Sequence, residues 1–568
     1  MATKIFPPVI PNLSDWPIFR LSEDRVKFIE EIDNFTFQRI VSTHTSDQLR
    51  DMIQQTIFSE KARVKGERWK VDPPNEAQFL SKLSKELVRK GLDNKDLEAS
   101  KETYEALLRK LIHRYSEEIV GTFSIGTFQF ARKFLTAFFG RLLNAASANS
   151  VFKLLTGGKL QVADRFKIHG DVDQIQALMK KGTVIMLPTH FSNLDSILVG
   201  YVMDQVLGLP QFSYGAGLNL YNNGVAAYFI NRLGAYRVDR RKKNEIYLET
   251  LKAMSNLSIQ RGTNSLFFTG GTRSRSGALE KRLKLGLLGT VVEAQRAKVA
   301  EDPDYKIFIV PLVMSYHFVL EGQFLIDSHL KSVGKERYLK LGRDEFYSFR
   351  KTLQYVWKFF SEDSEITLSF GKPIDVMGNF VDSDGKSFDK FGNEINVAEY
   401  FLTNGEVSKD LQRENEYTRL LSEKLVERYH QENVVLSSHF VAFVAFNLLK
   451  GYNSKLDLYA VLRLQPDDYV FPIDSFVGAA AQLQLKLQAL AADGKIKLSE
   501  QMSLPIEALV KHGVSELGIY HLSTPLEYTK EGDIISNSFS LLYFYHNRLE
   551  NYSLDRKVAW QNYPLRVV

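Results

Sequence analysis

The chain reads as an α/β protein: a mostly parallel sheet flanked by helices, set between helical N- and C-terminal regions. Two observations predict this. From Thr183 onward, short β-rich runs alternate with helical stretches, the rhythm of crossover units that lay strands parallel. Before and after that segment, apolar residues recur instead at three- and four-residue spacing, the period of a helix. At 568 residues the chain is too long for one ordinary core, and about three domains of roughly 150 residues each are expected. We divide it into a helical region over 1–165, an α/β domain over 166–375, an irregular excursion over 376–410 and a mainly helical region over 411–568.

Taken in order, DRVKFIEEIDNFTFQRIV, NEAQFLSKLSKELVRKG and ETYEALLRKLIHRYSEEIV carry the helical period. The Pro pair in WKVDPPNEAQ cannot continue a helix and marks a break. IVGTFSIGTFQFARKFLTAFFGRLL is the most apolar run, but Arg132, Lys133 and Arg141 interrupt it, well short of the ~18–20 uncharged residues of a membrane span. Its phenylalanines suit a helix lying in a bilayer interface with its cations reaching the headgroups. They equally suit a buried helix between two domains, and both readings stay open.

In the α/β segment TVIMLP precedes SNLDSILVGYVMDQV, QFSYGAG precedes NNGVAAYFINRLG, and AYRVDR precedes NEIYLETLKAMSNLS. SLFFTG then leads to KLGLLGTVVEAQRAK, and KIFIVPLVMSY and EITLSFGKPI complete the strands. Ligands of such sheets collect at the carboxyl ends of the strands. His190 and Gly270 each directly follow a predicted strand, which places both on that edge. Residues 376–410 are polar and rich in Gly, Asp and Asn, with no internal repeat discerned anywhere in the chain. Helical periodicity returns with YTRLLSEKLVERYHQENVVLSSHFVAFVAFNLLKGY.

Composition narrows the chemistry. There is no cysteine, which excludes disulfides, thiolate metal sites and Cys nucleophiles and is compatible with a cytosolic location. The N-terminus lacks the charged-then-apolar pattern of a secretory signal, so none is expected. Between Arg232 and Lys284 stand 13 basic and 4 acidic residues, a net +9 on a chain of net +6. One basic region on an otherwise slightly acidic chain points to a local anionic partner such as phosphate, coenzyme A or anionic lipid. A nucleic-acid binder is more often basic throughout with interleaved aromatics, so no nucleic acid is expected. No G-x-S-x-G elbow, H-E-x-x-H zinc pair or P-loop occurs, and neither a metal nor a tightly bound cofactor is expected.

Two short stretches remain as candidates. In LPTHFSNLDSILVG, His190 and Asp195 lie five positions apart where a strand runs into a helix. A neutral imidazole suits proton abstraction from an alcohol at neutral pH, and a carboxylate on its other nitrogen fixes the tautomer. Read alone, the pair is as well explained by a histidine capping a strand and an acid in a helix's first turn. In LFFTGGTRSRSG, the paired glycines open backbone amides to an anion, and the forks of Arg273 and Arg275 match phosphate geometry. Thr272, Ser274 and Ser276 add hydroxyls. Read alone, this stretch is equally well a solvated, phosphorylatable basic loop.

Together these residues resemble the glycerolipid acyltransferases, which share four ordered blocks. HFSNLD resembles the first, the His-x-x-x-x-Asp catalytic pair of His190 and Asp195. GLNLYNNGVAAYFINRLGAYRVDRR resembles the second, whose Arg240 helps hold the acceptor. FFTGGTRSRSG is similar to the third, in which Gly271, Thr272, Arg273, Ser274 and Arg275 bind the acceptor phosphate. IVPLVMSYHFVLEG is similar to the fourth, with Pro311 on the acyl side. The blocks cover about residues 183–322, and their order makes them far more specific than any one alone. KLGLLGTV, VVLSSHFVAFVAF and LLYFYHNRLENY further resemble the large glycerol-3-phosphate and dihydroxyacetone-phosphate acyltransferases. One departure stands out. Where the family has Glu before Gly-Thr-Arg, this chain has Gly270, which bears on acceptor choice and activity, with Glu280 as a neighbouring acid able to substitute. Asp239 before Arg240 is closer to the lysophosphatidate branch.

The resemblance implies an acyltransferase catalytic domain over 166–375 that moves a fatty acyl group from an acyl thioester, acyl-CoA or acyl-carrier protein as cosubstrate, to glycerol 3-phosphate in phospholipid biosynthesis. Lysophosphatidate and dihydroxyacetone phosphate are the alternative acceptors. It also implies a cytoplasmic protein held peripherally at the inner face of a membrane. The alternative of another class is a non-catalytic lipid- or anion-binding protein on a degenerate acyltransferase scaffold.

Overall fold

The computed structural model describes residues 4–69, 71–93, 97–146, 163–222, 224–333, 365–518, 521 and 523–567. At its centre is a seven-stranded sheet. The strands are β1 (Phe166–His169), β2 (Thr183–Pro188), β3 (Ser213–Gly217), β4 (Ala235–Val238), β5 (Ser265–Leu266), β6 (Ile307–Tyr316) and β7 (Ile366–Phe370), in spatial order β1-β7-β6-β2-β5-β3-β4. Strands β2 to β6 are mutually parallel. β7 runs antiparallel to β6 and parallel to β1, so the β1–β7 pair opposes the rest.

The sequence pattern and the sheet agree where runs are long and apolar. TVIMLP is β2, and KIFIVPLVMSY supplies β6; every residue of both strands is buried, as expected for a parallel sheet covered on two faces. Two short elements differ. β1 is four residues with one fully buried side chain, Phe166, too little for a period to show. SLFFTG yields only Ser265–Leu266 as strand, because the chain leaves the sheet at Phe267 to build a loop at the carboxyl edge. Pro311 sits inside β6, opposite Leu187. Its carbonyl accepts from Gly371 N at 2.8 Å, where the ladder to β7 ends, so the absent N–H costs a bond at the margin of that ladder only.

The N-terminal helices Arg25–Val41, Ser46–Gly66 and Leu97–Ile119 share a core with the helix Glu245–Gln260, which follows β4. The apolar run after Ile119 is two elements, not one. The chain crosses β4 at Gly121, where a Cβ would lie 1.8 Å from the Ala235 carbonyl oxygen, so only glycine fits. A new helix then spans Ile125–Ala146. Phe123 and Phe128 are buried against Trp16, whereas Phe130 and Phe134 are 57% and 50% exposed. The helix is thus buried on one side and open on the other.

The C-terminal region shares the sheet's core. Helix Ser437–Tyr452 is buried at every residue from Ser437 to Leu449 and packs in one cluster with Val184, Leu312 and Met314, the placement expected of a helix apolar all round. The segment after β7 is regular in a way the sequence reading missed. Asp375, Asp382 and Asp389, seven residues apart, each accept an N–H from the residue four places on. Gly378, Gly385 and Gly392 occupy positive φ in each turn. These are Asx turns joining three short strands, a seven-residue repeat hidden by the varied residues between the Asp and Gly positions.

Candidate active site

At the carboxyl end of β2 the chain turns out of the sheet and returns as the helix Asp195–Gln205. This turn builds the site's first half. Asp195 is wholly buried, and four donors meet its carboxylate. His190 Nδ1 (2.8 Å), Phe191 N (2.7 Å) and Ser192 N (3.0 Å) converge on Oδ2, and the Tyr316 hydroxyl donates to Oδ1 at 2.6 Å. The bond at Nδ1 places the imidazole proton there and leaves Nε2 as the basic nitrogen. The ring stacks on Phe268, centroids 4.0 Å apart, and the His190 carbonyl accepts from Ser274 N at 2.7 Å. Base and carboxylate therefore form a fixed dyad.

The second half is the loop after β5. Gly271, at φ 74°, closes a turn onto the Phe268 carbonyl at 3.0 Å. Arg273 turns inward, its Nη1 3.2 Å from Glu321, which is 2% exposed. Glu321 also accepts from Ser192 Oγ (3.1 Å) and Asn193 N (2.8 Å). One buried carboxylate thus ties the arginine loop to the dyad loop. Burial raises the Glu321 pKa, while the Arg273 charge opposes that rise.

The predicted residues do not all converge. Arg240 reaches solvent; desolvation by the surrounding wall and the charge of Arg273 both lower its pKa. Two guanidiniums held close enough to repel form a place where an anion is welcome. Arg275 is exposed, and the group it perturbs is His329, on the helix Gly322–Val333. Thr272 is exposed. The Ser274 hydroxyl is engaged on the Ala278 carbonyl at 2.7 Å, so its amide, and not its oxygen, serves the dyad. Pro311 is buried in β6, paired with Leu187 of β2.

Gly270 also has a structural explanation. A Cβ there would lie 3.0 Å from Glu280 Oε1. Glu280 reaches in from ten residues downstream, accepts weakly from His190 N at 3.5 Å, and has a buried Oε2 without a hydrogen-bond partner among the described residues. Burial pushes its carboxyl up to about 7. An acid thus stands beside position 270 although the residue there is glycine.

Part of the basic window is answered from within the protein. Arg241 pairs with Asp239 and Asp72, Lys242 with Glu118, and Arg261 with Asp24 and Glu31. Glu31 and Glu118 lie on N-terminal helices, Asp24 caps one and Asp72 follows another, so part of the +9 joins two parts of the fold instead of facing a ligand. Arg240 is flanked by these anchored residues and is held out from them.

Residues outside the predicted set complete the site. Tyr316 and Glu321 lie in SYHFVLEG, and their polar atoms among apolar neighbours were the available signal. Tyr429 donates to the Leu187 carbonyl at 3.0 Å and bonds Thr269 Oγ1 at 3.1 Å. Arg548 stacks on Phe191, 4.3 Å from the ring centroid. Nothing local in the sequence marks either of these last two.

Residues 167–315, which hold the His190–Asp195 dyad at the carboxyl edge of the sheet and Arg273 on the loop tied to it, match the Acyltransferase family model. The chain carries that domain. It is similar to the glycerol-3-phosphate acyltransferase of Pseudoalteromonas translucida, 26% identical over 309 residues. It is also similar to the enzymes of the same name from Shewanella sp. (strain ANA-3), 24% identical, and Pseudomonas paraeruginosa, 23% identical. These matches cover 54%, 54% and 46% of this chain and 33%, 33% and 27% of the relatives. The chain thus matches about a third of the length of those relatives.

Proposed function

We propose that the protein transfers a fatty acyl group from an acyl thioester, acyl-CoA or acyl-carrier protein, to a hydroxyl of glycerol 3-phosphate. His190 Nε2 takes the proton of that hydroxyl as its oxygen attacks the thioester carbonyl carbon. The tetrahedral intermediate collapses, the C–S bond breaks, and the imidazolium returns its proton to the departing thiolate. Asp195 orients the ring and balances its transient charge. Arg240 and Arg273 hold the acceptor phosphate, with Arg275, Thr272 and the Gly271 amide at the outer side of the same loop. No metal or resident cofactor enters this scheme, because imidazole alone activates the nucleophile. The observation that carries the reading is Glu321, which fastens Arg273 to the loop bearing the dyad.

The test is transfer of labelled acyl groups by wild type and His190→Ala, offered glycerol 3-phosphate, dihydroxyacetone phosphate and lysophosphatidate in turn. Wild type should prefer glycerol 3-phosphate, and the variant should lose ~10²–10⁴ in rate. Equal transfer by both proteins, or lipid binding with transfer by neither, overturns the proposal; the second outcome identifies a binding scaffold.

The same reading includes peripheral contact with the inner face of a membrane. Among the described residues no helix is long and apolar enough to cross one. Exposed Phe130 and Phe134 stack on each other, and Phe130 stacks on Phe229. Arg232 lies over exposed Tyr228 beside them. Aromatic rings edged by a cation suit the headgroup boundary of an anionic bilayer.

A further inference from the structure

We propose that Arg548 is a positioning residue of the acyl-transfer site, a C-terminal cation whose charge offsets Asp195 and Glu280 and whose guanidinium backs the dyad loop through Phe191. This rests on the function proposed above. Arg548 is 3% exposed, yet its hydrogen bonds go to neutral acceptors. Nε donates to Asn433 Oδ1 at 2.7 Å, and Nη2 to the Met314 carbonyl (2.7 Å) and Ser315 Oγ (2.9 Å). A full charge so deep is costly unless opposite charge stands near. Asp195 and Glu280 are the carboxylates that act on it, joined by the phenols of Tyr316 and Tyr552. On the C-terminal side it faces His430 and His439, both kept neutral-leaning by burial with Arg548 adding to the effect.

The contacts place Arg548 against both supports of Asp195. On one side is Phe191, whose amide donates to Oδ2. On the other are Met314 and Ser315, which lead directly into Tyr316, the donor to Oδ1. Burial lowers the guanidinium's own pKa only to about 10, so the charge persists at neutral pH. Its loss makes each acid of the cleft hold a proton more tightly, and the acid limb of the rate profile must move to higher pH.

The experiment compares full-length wild type with Arg548→Gln, which is neutral but keeps a donor, and Arg548→Lys, which keeps the charge. Arg548→Gln should lose ~10–100-fold in kcat at pH 7, with KM for glycerol 3-phosphate and acyl-CoA within about threefold, and its acid limb should rise by about 1 pH unit. Arg548→Lys should keep the wild-type limb. A folded Arg548→Gln with the wild-type limb and kcat overturns the proposal. So do equal losses in both variants with the limb unmoved, which reduce Arg548 to packing. A second readout is independent of turnover: the ¹³Cε1 resonance of His190, assigned with His190→Ala, should titrate at higher pH in Arg548→Gln than in wild type. If wild type transfers no acyl group, the functional reading fails, whereas identical titrations sink the role of Arg548 alone.

Discussion

Removing the Tyr316 hydroxyl tests whether the dyad depends on support from outside its own loop. Tyr316→Phe deletes one oxygen and leaves the ring, 6% exposed, in place, so no cavity of consequence forms. What is lost is the 2.6 Å donor to Asp195 Oδ1. The other three donors all converge on Oδ2, so Oδ1 is left without a side-chain hydroxyl on a carboxylate that is wholly buried. A hydrogen bond to a charged group contributes about 1.5–3 kcal/mol. If that bond holds the carboxylate in line with the imidazole, its loss appears in the step where the imidazolium forms, and a tenfold change corresponds to about 1.4 kcal/mol. We therefore expect kcat to fall about 10–150-fold, with KM for acceptor and donor unchanged, because the hydroxyl meets neither substrate. Steady-state acyl transfer with labelled glycerol 3-phosphate, run beside thermal unfolding, gives both numbers. A variant that unfolds earlier but keeps kcat within twofold would show Tyr316 to be mere packing. A rise in KM alone would place the hydroxyl on a substrate and refute the reasoning.

Asp72→Asn should raise KM for the acceptor about tenfold and leave KM for the acyl donor unchanged. It loosens the buried set in which Asp72 holds Arg63 and Arg241 beside Arg240, and separate titrations of the two substrates check it. For Glu280 the folded pKa of about 7 lies above the ordinary 4.5. Its favourable contribution is therefore complete below pH 4.5 and is lost as the pH climbs to 7. Glu280→Gln keeps the neutral form throughout, so urea unfolding should show it more stable than wild type above pH 7, by at most about 3 kcal/mol, and equal at pH 4.5; parallel pH curves would contradict this. Phe130→Asp combined with Phe134→Asp should weaken sedimentation with anionic vesicles about 10²-fold or more, while transfer from a soluble short-chain thioester stays at the wild-type rate.

How much of this was legible depended on whether the cause was local. β2 and the dyad were readable because a six-residue apolar run and an i, i+5 His–Asp pair lie in one continuous segment. Gly121, by contrast, looked like part of a single apolar helix, since the carbonyl it must clear belongs to Ala235, more than a hundred residues away. The basic window was read as facing a ligand because the sequence lists charges without their partners; Glu118, Asp24 and Glu31 meet those cations only in three dimensions. Arg273 and Arg275 look equivalent in GGTRSRSG, but the loop bends irregularly between them, so that Arg273 pairs with Glu321 while Arg275 stays exposed. The seven-residue repeat escaped because its constant feature is one Asp and one Gly per turn, which a composition reading registers only as an irregular polar stretch.

The dyad also explains why a domain matched over residues 167–315 is bound so closely to a C-terminal region. Parallel pairing of β2 with β6 runs only to Pro188 and Leu312, with one further bond from Thr189 N to the Leu312 carbonyl. There β2 turns away to form the site, but β6 continues to Tyr316. The flank of Met314–Tyr316 facing β2 is left without a neighbouring strand, and an unpaired buried carbonyl or amide costs about 1–3 kcal/mol. Thr189 Oγ1 accepts from Met314 N at 3.3 Å, Arg548 donates to the Met314 carbonyl, and His439 Nε2 to the Tyr316 carbonyl at 3.1 Å. His439 can serve because burial keeps it neutral, with its Nδ1 free to accept from Leu436 N at 3.3 Å. Turning β2 out of the sheet to expose a base thus creates the backbone deficit that residues 439 and 548 fill, and Tyr316, the support of Asp195, stands at the end of the strand they complete.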